Sequence, residues 1–470
     1  MSIFPTPPSG TSARAMTIPP HAVRPSPVPR GTSALVSAVL ADPASADRVW
    51  AGVRRLGTPV VEGAGPVRDV TFWHRGEAAR VAVVINKLVD DTTYRDALLD
   101  RLPGTDLWAL TLRLGSGWRG SYALAVDDGA PPRLPEATLA ELEQRRVRAR
   151  SVTDPARHAA VDAWYDLQRH MRPDPLARET TDLGPHGRGG SVGSGPDAPA
   201  PRAWPAAPRG RIVPVRHGTR RAWWHVPDAD PGPEGWDVLV LLDGDRWGDV
   251  HGPGAGAQLD AWAAAGVLRP TATLLLAHGG LAERVADLTC NPALVDDVVA
   301  LLDASPEAIG AVTRSPERTA IAGQSLGGLT ALYAQCVAPD RFGASVCHSG
   351  AFWWPNAVGG EPAEWLTRMI AGSGTRLGRV HLEVGTGEWV LLDPTRRLRD
   401  VLETRCDAFS YAEFDGGHDA ACWEITLPTA LAFALGEQRR DGPGQRAGRT
   451  ADSTARSTAQ APASATPTHG

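Results

Sequence analysis

Apolar positions along this chain fall into two textures, divided by a stretch that has neither. From Ser33 to Leu56, Ala, Val and Leu recur at mixed three- and four-residue spacing, which predicts helix. From Val67 the runs are short. Val70–His74, Val81–Ile85, Leu107–Leu112 and Ser121–Val126 read as strands, separated by Pro-Gly, Gly-Ser-Gly and Asp-Asp-Gly turns. That punctuation predicts a small β-sandwich of the Ig-like or E-set-like kind, with a further helix at Pro135–Ala149. Residues 184–210 hold seven Gly and six Pro among 27, so composition alone marks a linker. Beyond it, apolar strands at 238–242, 271–277, 319–322, 344–347, 380–384 and 409–414 alternate with helical stretches such as Pro292–Leu302. Strands alternating with helices mean a mostly parallel sheet with crossover helices.

The expected organisation is a tail at 1–32, a helix plus β-sandwich at 33–178, a linker at 179–210, an α/β-hydrolase domain at 211–437 and a tail at 438–470. Pro- and Ser-rich residues at the start, and Arg, Gly, Ser, Thr and Ala at the end, predict disorder in both tails. A length of 470 exceeds the usual single core of roughly 100–200 residues.

The chemistry concentrates at Thr319–Val337, TAIAGQSLGGLTALYAQCV. A short apolar strand leads into Gly323-Gln324-Ser325-Leu326-Gly327, and an Ala-rich helical segment follows. G-x-S-x-G between strand and helix is the pattern of a nucleophile elbow. A serine hydroxyl needs a base to become nucleophilic, and the base needs an acid to hold its tautomer. On this fold the chain order is Ser, acid, His. His418, in Asp415-Gly416-Gly417-His418-Asp419 directly after the strand 409–414, is the expected base. Glu388 and Asp393 both follow the strand 380–384 and are the candidate acids, with Glu388 favoured. The oxyanion hole needs two amides. One is that of Leu326, and the other comes from Gly244 or Asp245 in the loop after 238–242.

Charge and cysteines narrow the classes. Forty-eight basic against fifty-three acidic residues give a net charge of −5, which excludes a basic protein built to coat nucleic acid. No apolar run reaches the roughly 20 residues of a membrane span, the N-terminus has no signal-peptide core, and a cytoplasmic protein is expected. Cys290, Cys336, Cys347, Cys406 and Cys422 form no C-x-x-C pair and read as buried thiols, with no metal site in their spacing.

Several stretches together resemble the enterochelin esterases, hydrolases of ferric catecholate siderophores. They are GQSLGGLTALYA (323–334), RFGASVCHSGAFWWPN (341–356), DGGHDAACWE (415–424), LLDGDRW (241–247) and AERVADLTCNPAL (282–294). In the first half, VTFWHR (70–75), GTDLWALTLRL (104–114) and WRGSYAL (118–124) resemble that family's sandwich domain. The resemblance covers about residues 45–435 and places the family's serine, histidine and acid on Ser325, His418 and Glu388. It implies that Arg284 lines the substrate pocket, with Asp287 replacing the family's Glu. It also implies that Pro173–Arg178 and Gly187–Ser194 pack near the site instead of forming a free linker.

The implied substrate is a ferric catecholate trilactone, anionic and aromatic. Arg284 and Arg246 are candidate cations for it, and Trp247, Trp353 and Trp354 candidate walls for its catechol rings. The chemistry requires no catalytic metal or organic cofactor, and ferric ion enters as part of the substrate. Two other readings stand beside it: an esterase D-type carboxylesterase or thioesterase, which shares the elbow but lacks the WRGSY sandwich, and a noncatalytic ferri-siderophore carrier, against which the intact Ser325 and His418 argue. The sequence does not address oligomeric state.

Overall fold

The computed structural model describes residues 27–85, 88–132, 134–182, 189–203, 209–247, 255–356 and 362–436, together with 6–8, 17, 19 and 20. The expected tail at 438–470 lies outside the described residues, as does most of that at 1–32. The end of the first tail is ordered structure: Gly31 N donates to Thr111 O and Arg113 N to Pro29 O, so residues 29–31 run along a strand of the sandwich.

The expected helix at 33–56 is two helices, Ala34–Ala41 and Ala46–Leu56, interrupted by a turn at Asp42-Pro43 whose amide Ala44 N is capped by Asp42. Among the described residues nine strands follow: β1 (Val60–Glu62), β2 (Val67–Arg75), β3 (Arg80–Ile85), β4 (Asp100–Arg101), β5 (Leu107–Gly115), β6 (Arg119–Asp127), β7 (Met171–Arg172), β8 (Glu179–Thr181) and β9 (Gly190–Ser194). They form two sheets, β1-β2-β5-β4 and β3-β6-β9-β8, with β7 also on β6. Phe72, Leu110 and Leu112 from one sheet meet Val81, Val83 and Tyr122 from the other in a shared core. Helices Glu136–Val152 and His158–Gln168 connect β6 to β7.

The linker expected at 179–210 is corrected here. Residues 179–181 and 190–194 are strands, and Gly190–Gly193 are buried. The small residues are there for space: a Cβ on Gly193 would sit 2.9 Å from Pro59 Cγ and 3.0 Å from the Trp118 ring. Asp174 is also buried, accepting from Thr58 Oγ1 at 2.7 Å and Tyr122 OH at 2.9 Å, so the 173–178 segment is part of the sandwich.

Among the described residues the second half holds one eight-stranded sheet. Its strands are β10 (Arg211–His217), β11 (Arg220–Val226), β12 (Asp237–Leu242), β13 (Thr271–Leu276), β14 (Thr319–Gln324), β15 (Ala344–His348), β16 (Leu377–Gly385) and β17 (Cys406–Phe414). The order is β10-β11-β13-β12-β14-β15-β16-β17, parallel from β13 onward, with β10 and β11 an antiparallel hairpin at one edge. Buried apolar residues on both faces pack under the crossover helices. This is an α/β-hydrolase sheet preceded by an all-β sandwich. β12 lies between β13 and β14, so the chain reverses its direction of travel across the sheet there. In open parallel sheets such a reversal opens a crevice at the carboxyl ends of the strands. Ser325 follows β14 and Asp243–Asp245 follow β12, so both border that crevice.

Candidate active site

Ser325 has φ 59° and ψ −120°, a conformation costing a non-glycine residue about 1–3 kcal/mol. The neighbours hold it there. Ser325 N donates to His348 O at 3.0 Å, and Ser325 O accepts from Ala351 N at 2.9 Å. The turn is tight enough that a Cβ on Gly323 would lie 2.5 Å from the Gly327 carbonyl carbon. The elbow helix, Leu326–Val337, then starts at Leu326, whose amide is one of the N–H groups that a helix leaves without an intrahelical partner.

Glu388 sits at the mouth of the helix Trp389–Leu402, fully buried. His418 Nδ1 donates to Glu388 Oε2 at 2.5 Å, and the other oxygen accepts from Ser349 Oγ at 2.6 Å and Gly385 N at 2.8 Å. Asp393, the other candidate acid, points outward from that helix with its side chain 69% exposed, and its charge neighbour is Arg396. The geometry therefore separates two carboxylates that sequence left close together.

Two residues in this network were not singled out from sequence. Ser349 has φ 46° and accepts from Trp423 Nε1 at 2.9 Å, giving an ordered chain from indole to hydroxyl to carboxylate to imidazole. The Trp423 ring also meets His418 edge-on at 4.9 Å. Both lie inside the stretches CHSG and DAACWE, so the signal was present, but nothing local ties either side chain to Glu388.

The loop carrying His418 is gripped by the sandwich. Arg119 N donates to Asp415 O at 3.0 Å, and Arg119 Nε donates to Ala421 O at 2.8 Å. Ser121 N and Oγ both donate to Asp419 Oδ2, at 2.5 and 2.9 Å. Burial pushes the Asp419 carboxyl above its ordinary value, while these donors and the Arg119 charge oppose that rise. The motif WRGSY thus reaches from β6 to both ends of Asp415–Asp419.

Several expected pocket residues are placed differently. Trp353 and Trp354 are 4% and 2% exposed and belong to the core of the hydrolase sheet, with Trp354 edge-on to Trp365 at 6.1 Å. They are packing residues, not walls open to a ligand. Arg284 forms a two-pronged ion pair with Asp243, Nε to Oδ1 at 2.5 Å and Nη2 to Oδ2 at 2.6 Å. Its charge is engaged inside the protein, where it fixes the positive-φ residue that leads into Gly244. Asp287 holds Arg220 and His278. Gly244 and Asp245 open a one-turn helix, Gly244–Trp247, and Gly244 is pressed so closely on β13 that a Cβ would lie 2.5 Å from its backbone. Arg246 and Trp247 lie on that helix, and their side chains fall outside the described residues.

Comparison with known proteins agrees with both halves of this architecture. A family model described as "Enterochelin esterase, N-terminal" matches residues 69–204, and one described as "Putative esterase" matches 219–434. The iron(III) enterobactin esterase of Dickeya dadantii (strain 3937) is 28% identical over 439 residues, covering 86% of this chain and 96% of the relative. The crystal structure of ferric enterobactin esterase from Salmonella typhimurium is 26% identical, with a TM-score of 0.66 over 82% of this chain and 98% of that one. The enterobactin esterase of Shigella flexneri, crystallised in the presence of enterobactin, gives a TM-score of 0.64 at 26% identity over 82% and 97% of the two chains. The first model ends at 204, beyond β9, in keeping with the assignment of the glycine-rich strand to the sandwich. The chain belongs to the enterochelin esterase family.

Proposed function

We propose that this protein is a serine ester hydrolase that opens the ester bonds of a ferric catecholate siderophore, through an acyl-enzyme, and so makes iron available in the cytoplasm. The observation that carries this is the 2.5 Å hydrogen bond between His418 Nδ1 and the buried Glu388. It fixes the tautomer in which Nε2 is the accepting nitrogen, the one that takes the proton of a serine hydroxyl in this chemistry. The substrate class follows from family membership across both domains. Relatives bearing the same two halves carry the name of iron(III) enterobactin esterase.

In this mechanism Ser325 Oγ attacks a lactone carbonyl while His418 Nε2 accepts its proton. The oxyanion meets the amide of Leu326 and that of Gly244 or Asp245. The proton returns from His418 to the departing seryl oxygen as the ring opens. A water deprotonated by His418 then releases the linear acid and regenerates Ser325. Repetition shortens the ligand, and separated catechols lose the effective concentration that held iron. Ferric ion enters as part of the substrate.

The test is chromatography of products from ferric and iron-free trilactones incubated with wild type, Ser325→Ala and His418→Ala. Wild type yields the linear trimer and then shorter fragments, and both variants lose about 10³-fold or more in rate. Hydrolysis at an undiminished rate in Ser325→Ala would refute the mechanism. Tight binding of the ferric complex by wild type without turnover would favour a carrier.

A further inference from the structure

Directly behind the elbow, β15 and β16 bring together three side chains that the esterase chemistry does not use. His348 and Glu383 are register partners on the two parallel strands, and His381 precedes Glu383 by two residues. Residues two apart on a strand share a face, so all three project to one side, toward the helix Ala420–Leu435. Thr426 of that helix donates to Glu383 Oε1 at 2.7 Å.

The cluster is sealed, with His348 0%, Glu383 1% and His381 6% exposed. Yet both ring nitrogens of His348, Nε2 of His381 and Oε2 of Glu383 have no hydrogen-bond partner. Buried polar atoms are rarely left so, because each costs about 1–3 kcal/mol. His348 Nε2 lies 3.7 Å from Glu383 Oε1, and His381 Nε2 lies 3.5 Å from Oε2. These separations are long for hydrogen bonds. They are close to the roughly 3.3 Å that divides two donors on a tetrahedral ion with bonds of about 2.0–2.1 Å. One donor atom from each residue falls within 4.8 Å of the others. Outer partners are also in place: His381 Nδ1 pairs with Ser410 Oγ at 3.1 Å, which leaves Nε2 facing inward, and Thr426 orients the carboxylate.

We infer that His348, His381 and Glu383 form a buried site for a divalent transition-metal ion, with zinc the best match to two imidazoles and a carboxylate as its three protein ligands. The ion clamps β15 to β16 from within. Its loading accompanies folding, since no ligand is exposed. It takes no part in bond breaking. Its position matters because the His348 carbonyl receives the Ser325 amide and the next residue, Ser349, donates to Glu388.

The experiment uses the full chain, refolded with and without zinc sulfate, dialysed against metal-free buffer and measured by mass spectrometry of metals and by thermal melting. About one zinc per chain is expected in the zinc-refolded wild type, with a higher melting temperature than the zinc-free sample. His348→Gln and His381→Gln should each retain less than about a tenth of that zinc, and their melting should not respond to it. If a variant fails to refold, anomalous scattering at the zinc edge from wild-type crystals decides, with a peak required among the three side chains. Wild type that keeps no zinc would overturn the proposal. So would variants that keep as much as wild type. Either result would leave a proton shared between imidazole and carboxylate as what fills the gap.

Discussion

Ser121 and Asp419 belong to different layers of the molecule, yet the amide and the hydroxyl of Ser121 both donate to one oxygen of the Asp419 carboxylate, at 2.5 and 2.9 Å. The other oxygen caps the terminal helix through Ala421 N at 3.0 Å. A strand of the sandwich therefore sets the residue beside His418. Asp419→Ala removes a helix cap, worth about 0.5–2 kcal/mol, and strands a buried amide at about 1–3 kcal/mol. Urea denaturation should register a loss of about 2 kcal/mol or more. Turnover of a small soluble ester should fall as well, because the loop holding His418 loses its anchor. A destabilised variant with unchanged kcat would show that the sandwich contact does not position the histidine.

Glu388 and Asp393 differ in burial and in partner, and so should their variants. Glu388→Gln keeps the shape but replaces the acceptor of the His418 Nδ1 proton, and kcat should fall about 10³-fold or more. Asp393→Asn should leave kcat within about twofold, since its side chain is solvent-exposed. Steady-state kinetics on both variants with one ester substrate distinguishes them.

Ser349 donates to Glu388 at 2.6 Å from a residue held in the left-handed region. A hydrogen bond to a charged group is worth about 1.5–3 kcal/mol. Ser349→Ala should therefore lower kcat by about tenfold or more while leaving KM near its wild-type value, because the hydroxyl is buried behind the acid. A rise in KM with unchanged kcat would assign Ser349 to substrate binding instead.

Glu424, half-buried on the terminal helix, has its carboxyl raised by burial, and then by the Asp419 charge, to about 7 against an ordinary 4.5. The folded state thus binds a proton that the unfolded state has already lost between those values, and stability falls as pH rises through that window. Glu424→Gln stays neutral throughout. Its melting temperature should match wild type near pH 5 and exceed it near pH 8, as read from paired melts across about pH 5–8. An equal gap at both ends would mean that the effect is packing and not titration.

Gly193 lies where composition reads as linker, but it is buried beneath Trp118. Gly193→Ala places a methyl against Pro59 and the indole and should destabilise the protein by about 1–3 kcal/mol. A true linker glycine would tolerate the change, so denaturation midpoints separate the two cases.

The family, the reaction type, the elbow and the acid–histidine pair were legible in the sequence because each is local or ordered along the chain. G-x-S-x-G needs only the space that a sharp turn leaves, and the buried strands of the sheet announce themselves as apolar runs. The hairpin β10–β11 went unseen because β10 is largely exposed and carries no apolar alternation. Only tertiary structure decided the rest. Arg284 is a free cation until folding brings Asp243, 41 residues away in sequence, against its guanidinium. Trp353 and Trp354 have the same chemistry in a core as in a pocket, and burial alone distinguishes them. Gly193 of β9 looks like slack chain until Trp118 fills the space above it. Composition and periodicity record what each residue prefers, whereas the site is made by pairings between distant residues that exist only once the backbone has closed around them.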